Sequence, residues 1–327
     1  MYRRFYNLQR NPFEITPDPA FLFPTRRHNE ALAALYYGVL RHKGFVVLTG
    51  EVGTGKTLLV RCLLQILKGG DVAYAYVFNS RLSPHEFIQY AAGDFGLTAA
   101  GKTKSELLLS LGTFLIARHQ RRLTTVLVVD EAHHLAPDVL EEIRLLTNLE
   151  TAQEKLLQIL LVGQPELDEK LDSVDLRQLK QRIALRSHLK SLDEEETAGY
   201  VQRRLVLAGV DPLAVPIFPS ETIMEVFRHS RGIPRLINTL CENALITGYA
   251  RHARCITPDI INGVAADFRL GILHAPRVDK PKRDSKELLE AVQTFLDFHD
   301  YLSGVRAKEK GLQIAASSGV GKHEPYI

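Results

Sequence analysis

Hydrophobic and polar positions between residues 31 and 190 form short apolar runs that alternate with amphipathic segments of helical period. Two of these runs, residues 126–129 and 159–162, are apolar at every position, which is typical of central parallel strands covered on both faces. The alternation predicts a doubly wound α/β domain with one parallel five-stranded sheet. We predict its strands at residues 45–49, 72–78, 124–129, 157–162 and 183–190.

Residues 191–270 carry helical patterns without a clear strand, and they predict a small all-helical domain after the α/β domain. Serine and aspartate are common just before a helix, proline at its first position, and glycine just after its end. On these signals, one helix begins at Ser191 or Asp193 and stops at Gly209, a second begins at Pro234, and a third covers residues 256–268.

The two ends of the chain differ from both domains. Residues 1–30 are rich in aromatic residues and proline, and we expect an irregular arm that packs on a core. From residue 271 to residue 327 the composition is that of a charged linker and a weakly structured, flexible tail, with one amphipathic helix predicted near residues 285–303.

The composition narrows the class of protein. Hydrophobic residues make up 45% and charged residues 24% of the 327 positions, as in ordinary globular proteins. The three cysteines form no C-x-x-C pair, which argues against a zinc site or disulfide framework and indicates a reducing compartment. Because no run approaches the roughly 18 apolar residues of a membrane helix, we expect a cytoplasmic protein without a direct membrane span.

A glycine-rich segment joins the first predicted strand to the helix after it. The segment GEVGTGKT, residues 50–57, has the pattern of a phosphate-binding loop, in which glycines let backbone N–H groups surround a phosphate. A glycine-rich turn that fits by chance is the alternative, and the strand–loop–helix context argues against it. The predicted ATP-binding residues are Gly50, Glu51, Val52, Gly53, Thr54, Gly55, Lys56, Thr57 and Leu58.

A pair of carboxylates follows the apolar run at residues 126–129. In a phosphate-binding-loop enzyme, the first carboxylate, here Asp130, holds Mg²⁺ together with the loop hydroxyl of Thr57. The second, Glu131, is placed to orient or deprotonate the attacking water, while Lys56 reaches the β- and γ-phosphates. An acidic strand end that faces solvent is the alternative interpretation.

The sequence DEAH at residues 130–133 also suggests a helicase. We reject that interpretation because such helicases need two tandem α/β motor domains, and this chain has room for one. We interpret His133 and His134 as polar loop residues rather than metal ligands, since two adjacent histidines cannot easily face one ion.

Gln164 stands at the tip of the predicted strand 157–162. The tips of parallel strands face the ligand crevice, so Gln164 is a candidate partner of the γ-phosphate or the attacking water. The alternative is a simple helix-start turn, with Pro165 at the first helical position. The turn and the role at the phosphate can also occur together.

Basic residues surround the last predicted strand and begin a later helix. We interpret Arg186 and Lys190 as charges that guard an edge strand. Arg177 and Arg182 precede the strand, and either could enter the phosphate site of a neighbouring subunit as an arginine finger, with Arg182 the first candidate. Arg235, in the segment GIPRLIN, is expected to fold over the γ-phosphate and to report nucleotide state.

These motifs, in this order, resemble those of the AAA+ ATPase superfamily. The corresponding positions are Walker A at residues 50–57, Walker B at Asp130 and Glu131, sensor 1 at Gln164, an arginine-finger segment with Arg177 and Arg182, and sensor 2 at Arg235. The segments LEEIRLLTNLET, LLVGQPEL and GIPRLIN narrow the resemblance to the ExeA or general-secretion-pathway-A ATPases, over roughly residues 1–270. Those are relatives of ATPases in pilus biogenesis, polysaccharide export and transposition.

The resemblance implies an AAA+ core with a helical lid and hydrolysis of ATP with Mg²⁺. It also implies a bacterial homo-oligomer, for which a hexameric ring is one option, with ATP sites shared between subunits. Secretion-type members continue into a membrane helix and a peptidoglycan-binding part; this sequence shows neither, so any inner-membrane role is expected through a membrane-protein partner.

Two functions stay open. The first is an ATPase that powers assembly of a bacterial envelope system for secretion, pili or polysaccharide export. The second is an ATP-gated DNA-binding regulator of the transposition type, whose basic residues would face phosphates and whose binding would weaken steeply with salt. The net charge of +3 and the absence of a recognisable helix-turn-helix count against DNA. We expect the adenine contacts between His28 and Leu40.

Overall fold

The computed structural model describes residues 1–68, 72–78, 81–213 and 215–270; the predicted linker, helix and tail at 271–327 lie outside the described residues. A five-stranded sheet with parallel pairing has the order β2-β3-β4-β1-β5. Its strands are β1 (Phe45–Gly50), β2 (Ala73–Val77), β3 (Thr125–Val129), β4 (Gln158–Gly163) and β5 (Leu185–Leu189). This confirms the predicted sheet, although β5 begins two residues later than expected.

The helices of the described residues surround this sheet and form the region after it. They are α1 (Tyr2–Phe5), α2 (Arg26–Leu40), α3 (Lys56–Leu67), α4 (Pro84–Asp94), α5 (Lys104–Gln120), α6 (Pro137–Leu146), α7 (Pro165–Leu171), α8 (Arg177–Lys180), α9 (Glu194–Leu207), α10 (Ser220–Ser230), α11 (Pro234–Ala250) and α12 (Pro258–Asp267). Two 3₁₀ turns lie at Pro19–Phe21 and Ala132–His134.

The sheet is buried on both faces because successive side chains of a strand point to opposite sides. On β1, Phe45 and Val47 join one apolar cluster, and Val46 and Leu48 join another. On β3 the same alternation sends Val126 and Val128 to the second cluster. The continuous apolar runs of the sequence therefore fill two cores at once.

A third core lies within the helical region, where α9 to α12 pack together. The first helix begins at the predicted Asp193, whose side chain accepts a hydrogen bond from the N–H of Glu196 in a reciprocal cap. The sequence analysis placed three helices here; α10 (Ser220–Ser230) is a fourth that it missed.

The N-terminal arm packs on the helical core rather than on the sheet. Phe13 is fully buried there, with its ring 5.9 Å from that of Phe218, and the Tyr6 hydroxyl donates to the carbonyl of Ala253 at 2.8 Å. The arm is shorter than the predicted 30 residues because α2 already begins at Arg26, after the capping residue Thr25.

In the part of the chain that the structure describes, no helix combines the length and the apolar character that crossing a membrane requires.

Candidate functional site

Polar side chains from three strand ends meet at one edge of the sheet. The parallel register pairs Thr49 of β1 with Gly163 of β4, and Val129 of β3 with Leu161 of β4. The residues that follow these strands therefore lie side by side. They are the glycine-rich loop after β1, Asp130 and Glu131 after β3, and Gln164 after β4.

The glycine-rich loop depends on glycine at particular positions. Gly53 and Gly55 have φ angles of +80° and +99°, a region that side chains with a Cβ rarely adopt. A Cβ on Gly50 would lie 2.7 Å from the carbonyl oxygen of Leu189. The spacing of glycines in the sequence therefore follows from the backbone path.

Lys56 begins α3 and lies almost completely buried under the loop. Its Nζ donates to the carbonyl oxygens of Gly50 at 2.7 Å and Glu51 at 2.9 Å. Burial lowers the pKa of the Lys56 ammonium, while nearby carboxylates, Glu131 first, oppose the shift. The cation is thus held at the centre of the loop, within reach of an anion placed there.

Thr57 and Asp130 lie in direct contact. The Thr57 hydroxyl donates to Oδ2 of Asp130 at 3.1 Å, and Tyr76 of β2 donates to the same oxygen at 2.6 Å. The other oxygen, Oδ1, accepts the N–H of Glu131 at 2.9 Å. With both carboxylate oxygens already accepting hydrogen bonds, Asp130 is suited to holding a hydrated cation through its waters.

The donor set fits Mg²⁺ bound together with a phosphate. Magnesium prefers oxygen ligands, keeps several waters and takes one or two protein oxygens plus substrate phosphates; Thr57 and Asp130 supply such a pair. Among the described residues, no group of three or more His, Cys, Asp and Glu side chains could hold a metal ion by itself.

Glu131 has an unusual backbone conformation for a residue with a side chain. Its φ and ψ angles are +52° and +34°, in the left-handed region. The side chain is 48% exposed and lines the same cavity as Lys56 and Thr57. The turn after β3 therefore buries Asp130 but directs Glu131 into open space, where a carboxylate can reach water.

Gln164 caps the start of α7 and lines the cavity as well. Its side-chain nitrogen lies 2.8 Å from Nε2 of His133, whose ring is buried beside it. The sequence analysis predicted the position of Gln164 but gave His133 no role beyond that of a loop residue.

The walls of the cavity form a cleft of about 280 Å³. We call one side the phosphate wall, formed by residues 52, 53 and 55–58, Glu131 and Gln164. Arg235 stands at its rim. The first turn of α11 is tied to the loop, since the N–H of Arg235 donates to the carbonyl of Gly53 at 3.2 Å.

Of the predicted binding residues, Gly50, Glu51 and Thr54 support the loop from beneath, with Thr54 fully buried.

The comparisons with known proteins agree with this geometry. Residues 39–171 match the family model described as an AAA domain, and these residues contain the loop, the carboxylate pair and Gln164. Residues 39–171 therefore carry the sequence pattern of an AAA domain.

The sequence similarity to a curated protein extends beyond residues 39–171. The chain is 45% identical over 252 residues, or 77% of its length, to General secretion pathway protein A of Aeromonas hydrophila, which confirms the resemblance stated above. It spans about half the length of that relative, 45%.

Solved structures show the same fold. The ORC2 protein of Aeropyrum pernix, in ADPNP–ADP complexes, matches 79% of this chain and 72% of its own with a TM-score of 0.61 and 18% identity. The RuvB Holliday junction branch migration motor of Thermotoga maritima matches 75% of this chain and 69% of its own with a TM-score of 0.51 and 18% identity. The architecture is that of the AAA+ fold: a P-loop core followed by helices.

The opposite side of the cavity, which we call the arm wall, lies outside the AAA domain. It is formed by residues 14–18 of the arm together with Tyr200, Arg204 and Asn238 of the helical region. Buried Arg204 donates to the Tyr200 hydroxyl, which donates to Asn238. The sequence analysis missed this wall; the available signal was Arg204, a charge one turn after Tyr200 on the apolar face of α9.

The arginine of the arm wall is incompletely bonded. The guanidinium carbon of Arg204 lies 4.7 Å from the ring centroid of Phe21, and its buried Nε has no hydrogen-bond partner among the described residues. Burial is the main cause that lowers the pKa of Arg204. A donor in this state at a cavity wall is suited to an acceptor on a bound ligand.

His28 lies behind the loop rather than in the cavity. Its Nε2 is 3.2 Å from the carbonyl oxygen of Thr54, and its Nδ1 is 2.7 Å from the Thr25 hydroxyl. None of residues 28–40, where we expected the adenine contacts, is among the described residues that line the cavity. The adenine contacts therefore stay a prediction, and the arm wall is the side of the cavity across from the phosphate wall.

The arginines around β5 lie away from the cavity. Arg182 donates to the side chains of Thr147 and Asn148 and to the carbonyl of Arg144 in its own chain. Arg177 is exposed at the first position of α8. Arg186 pairs with Asp168 at 3.0 Å on the edge strand β5, as predicted for a charged edge.

Proposed function

We propose that this protein is a Mg²⁺-dependent ATPase that powers a bacterial envelope system. The observation that carries the proposal is the meeting of Lys56, Thr57, Asp130, Glu131 and Gln164 at one edge of the sheet. A protein that only bound nucleotide as a scaffold would not need Glu131 directed into the cavity from a left-handed turn.

The proposed roles follow from position. The loop N–H groups and Lys56 bind the β- and γ-phosphates. Thr57 and Asp130 hold the hydrated Mg²⁺, which neutralises charge that develops on the phosphate oxygens. Glu131 orients the attacking water and accepts its proton. Gln164 contacts the γ-phosphate. Arg235, at the rim of the cavity in the first turn of α11, also contacts it and connects its loss to movement of the helical region.

The direct test is Glu131→Gln in the full chain. We expect ATP binding to be kept and steady-state turnover to fall at least ~10²-fold, because the amide cannot accept the proton of water. The matched control is Glu166→Gln, an exposed carboxylate in the first turn of α7, which should leave turnover unchanged. Equal turnover of Glu131→Gln and the native chain would remove Glu131 from this role.

The sites are proposed to be shared between copies of this chain in a ring. The contacts of Arg182 within its own chain favour Arg177 as the finger that reaches a neighbour, although the sequence analysis put Arg182 first. Arg177→Ala and Arg182→Ala form the test. We expect the finger variant to lose roughly 10³-fold in rate with an unchanged melting temperature.

The other variant should lose stability without that loss of rate, and specific activity of the native chain should rise with protein concentration. Activity that is independent of concentration and insensitive to both substitutions would show that each copy hydrolyses ATP alone.

The envelope role rests on the similarity to General secretion pathway protein A. We propose that the protein works in the cytoplasm and reaches the inner membrane through a membrane-protein partner. The DNA-binding alternative gains no support from the surface, because several of its proposed basic residues are engaged within the chain. Lys180 pairs with Asp172, Arg186 with Asp168, and Arg254 packs on the ring of Phe5.

A further inference from the structure

His133 lies between the two groups that the proposed reaction places beside the γ-phosphate. It belongs to the 3₁₀ turn directly after Glu131 and is only 8% exposed. One ring nitrogen, Nδ1, is 3.5 Å from Oε2 of Glu131. The other, Nε2, is 2.8 Å from the side-chain nitrogen of Gln164. One buried ring thus touches a residue of Walker B and the residue after β4.

Both ring nitrogens face Gln164. Its side-chain amide lies 2.8 Å from Nε2, and its backbone N–H approaches Nδ1 at 3.4 Å. A neutral imidazole has one donor and one acceptor nitrogen, and an amide side chain can supply a partner for either. Burial and the neighbouring His134 lower the pKa of His133, which favours this neutral form at neutral pH.

The ring is fixed in place, whereas its two partners are partly exposed. Lys170 donates to the carbonyls of His133 at 2.6 Å and Leu135 at 2.8 Å, which pins the turn. The ring of His134 lies 3.9 Å away, centroid to centroid. Glu131 and Gln164, in contrast, are each partly exposed on the cavity wall. A fixed ring between two partly exposed side chains is placed to set their positions.

We propose that His133 is a positioning residue that holds the Glu131 carboxylate and the Gln164 amide in one arrangement, so that the attacking water and the γ-phosphate are aligned together. The role rests on the proposed ATPase function. It acts on the alignment of reacting groups and not on ATP binding, since His133 does not line the cavity. Misplacement of such groups by about 1 Å can cost ~10²-fold in rate.

The kinetic test is His133→Leu, which keeps an apolar side chain in the buried space but removes both ring nitrogens. We expect kcat to fall ~10- to 10²-fold and KM for ATP to stay within threefold. His133→Gln, which can accept from Gln164 and donate to Glu131, should recover a large part of kcat. His85→Leu, at an exposed position of α4 that does not line the cavity, is the matched control and should be unaffected.

A second readout does not depend on turnover. Imidazole ¹⁵N NMR of the full chain, with His133 assigned by difference from His133→Leu, should show a neutral ring. Its signals should shift in Gln164→Leu and in Glu131→Gln, and on addition of a non-hydrolysable ATP analogue. If these shifts occur in a protein without any ATPase activity, the proposed function is overturned but the contacts of His133 with both neighbours are supported. Native kcat in His133→Leu, or NMR signals that do not change in either neighbouring variant, would overturn the positioning role of His133.

Discussion

The two walls of the cavity are built in different ways. On the phosphate wall, each polar group follows directly from a strand end or from the backbone of the glycine-rich loop, and neighbouring strands fix the distances between them. On the arm wall, Arg204, Tyr200 and residues 14–18 meet only because the arm packs on the helical region. The first wall is therefore a local product of the sheet, and the second depends on contacts between distant parts of the chain.

This difference assigns separate tasks to the two walls. In the proposed function, the phosphate wall holds the groups that charge and proton transfer require, and small displacements of such groups are costly. The arm wall offers an incompletely bonded arginine and aromatic surface, which suit binding of the remainder of a nucleotide. Substitutions on the first wall should therefore change the rate of reaction, and substitutions on the second should change affinity.

The largest effect is expected from Lys56→Ala on the phosphate wall. Loss of a preorganised cation beside a transferring phosphoryl group should lower turnover ~10²- to 10³-fold and weaken ATP more than AMP. Steady-state ATPase assays and titration with fluorescent nucleotides check this. Lys68→Ala, at the exposed end of the same helix, should behave as the native chain does. A Lys56→Ala protein with native turnover would contradict the assignment of this wall.

A smaller effect is expected from Arg204→Met on the arm wall. Methionine retains apolar contact with Phe21 but offers no donors, so ATP and ADP should both bind about tenfold more weakly, with kcat unchanged at saturation. Arg203→Met, an exposed neighbour on the same helix, is the control. A loss of kcat with unchanged affinity would show that the two walls do not divide the work in this way.

The smallest effect concerns the support of the arm and its dependence on pH. Burial raises the pKa of Glu242, against the opposing hydrogen bond from Tyr2. A carboxyl with a raised folded-state pKa stabilises the fold at low pH, and this contribution is lost as the pH rises through that pKa.

Glu242→Gln should therefore melt at a higher temperature than the native chain at pH 8, and the difference should shrink toward pH 4. The exposed Glu221→Gln is its control. Thermal unfolding across this pH range measures the difference, and a variant less stable at pH 8 would show that the ionised carboxylate is favourable.

The sequence predicts the phosphate wall well because its information is local. Gly53, Gly55, Lys56 and Thr57 are adjacent in the chain, and each chemical requirement maps onto one residue type. The strands are equally clear, since a strand buried on both faces must be apolar throughout, as residues 126–129 are. These parts need no knowledge of what the distant chain does.

The remainder of the site depends on packing at long range. No local pattern reveals that residues 14–18 face Arg204, because the contact is made by folding the arm onto α9. The sequence predicts only a loop residue at His133 for the same reason. Its role depends on contact with Gln164, which follows a different strand. The missed helix α10 begins at Ser220, with Pro219 before it and no side-chain cap.

The arm that completes the helical core also has a consequence for the order of synthesis. Tyr2 bonds to Glu242 across 240 positions of the chain, and Phe13 lies against Phe218. Such contacts close very long loops, which slows their formation. During translation the aromatic residues of the arm emerge well before their binding surface exists. The arm wall can form only after α9 to α11 have been made. The complete cavity therefore forms late in synthesis, when most of the sheet has already emerged.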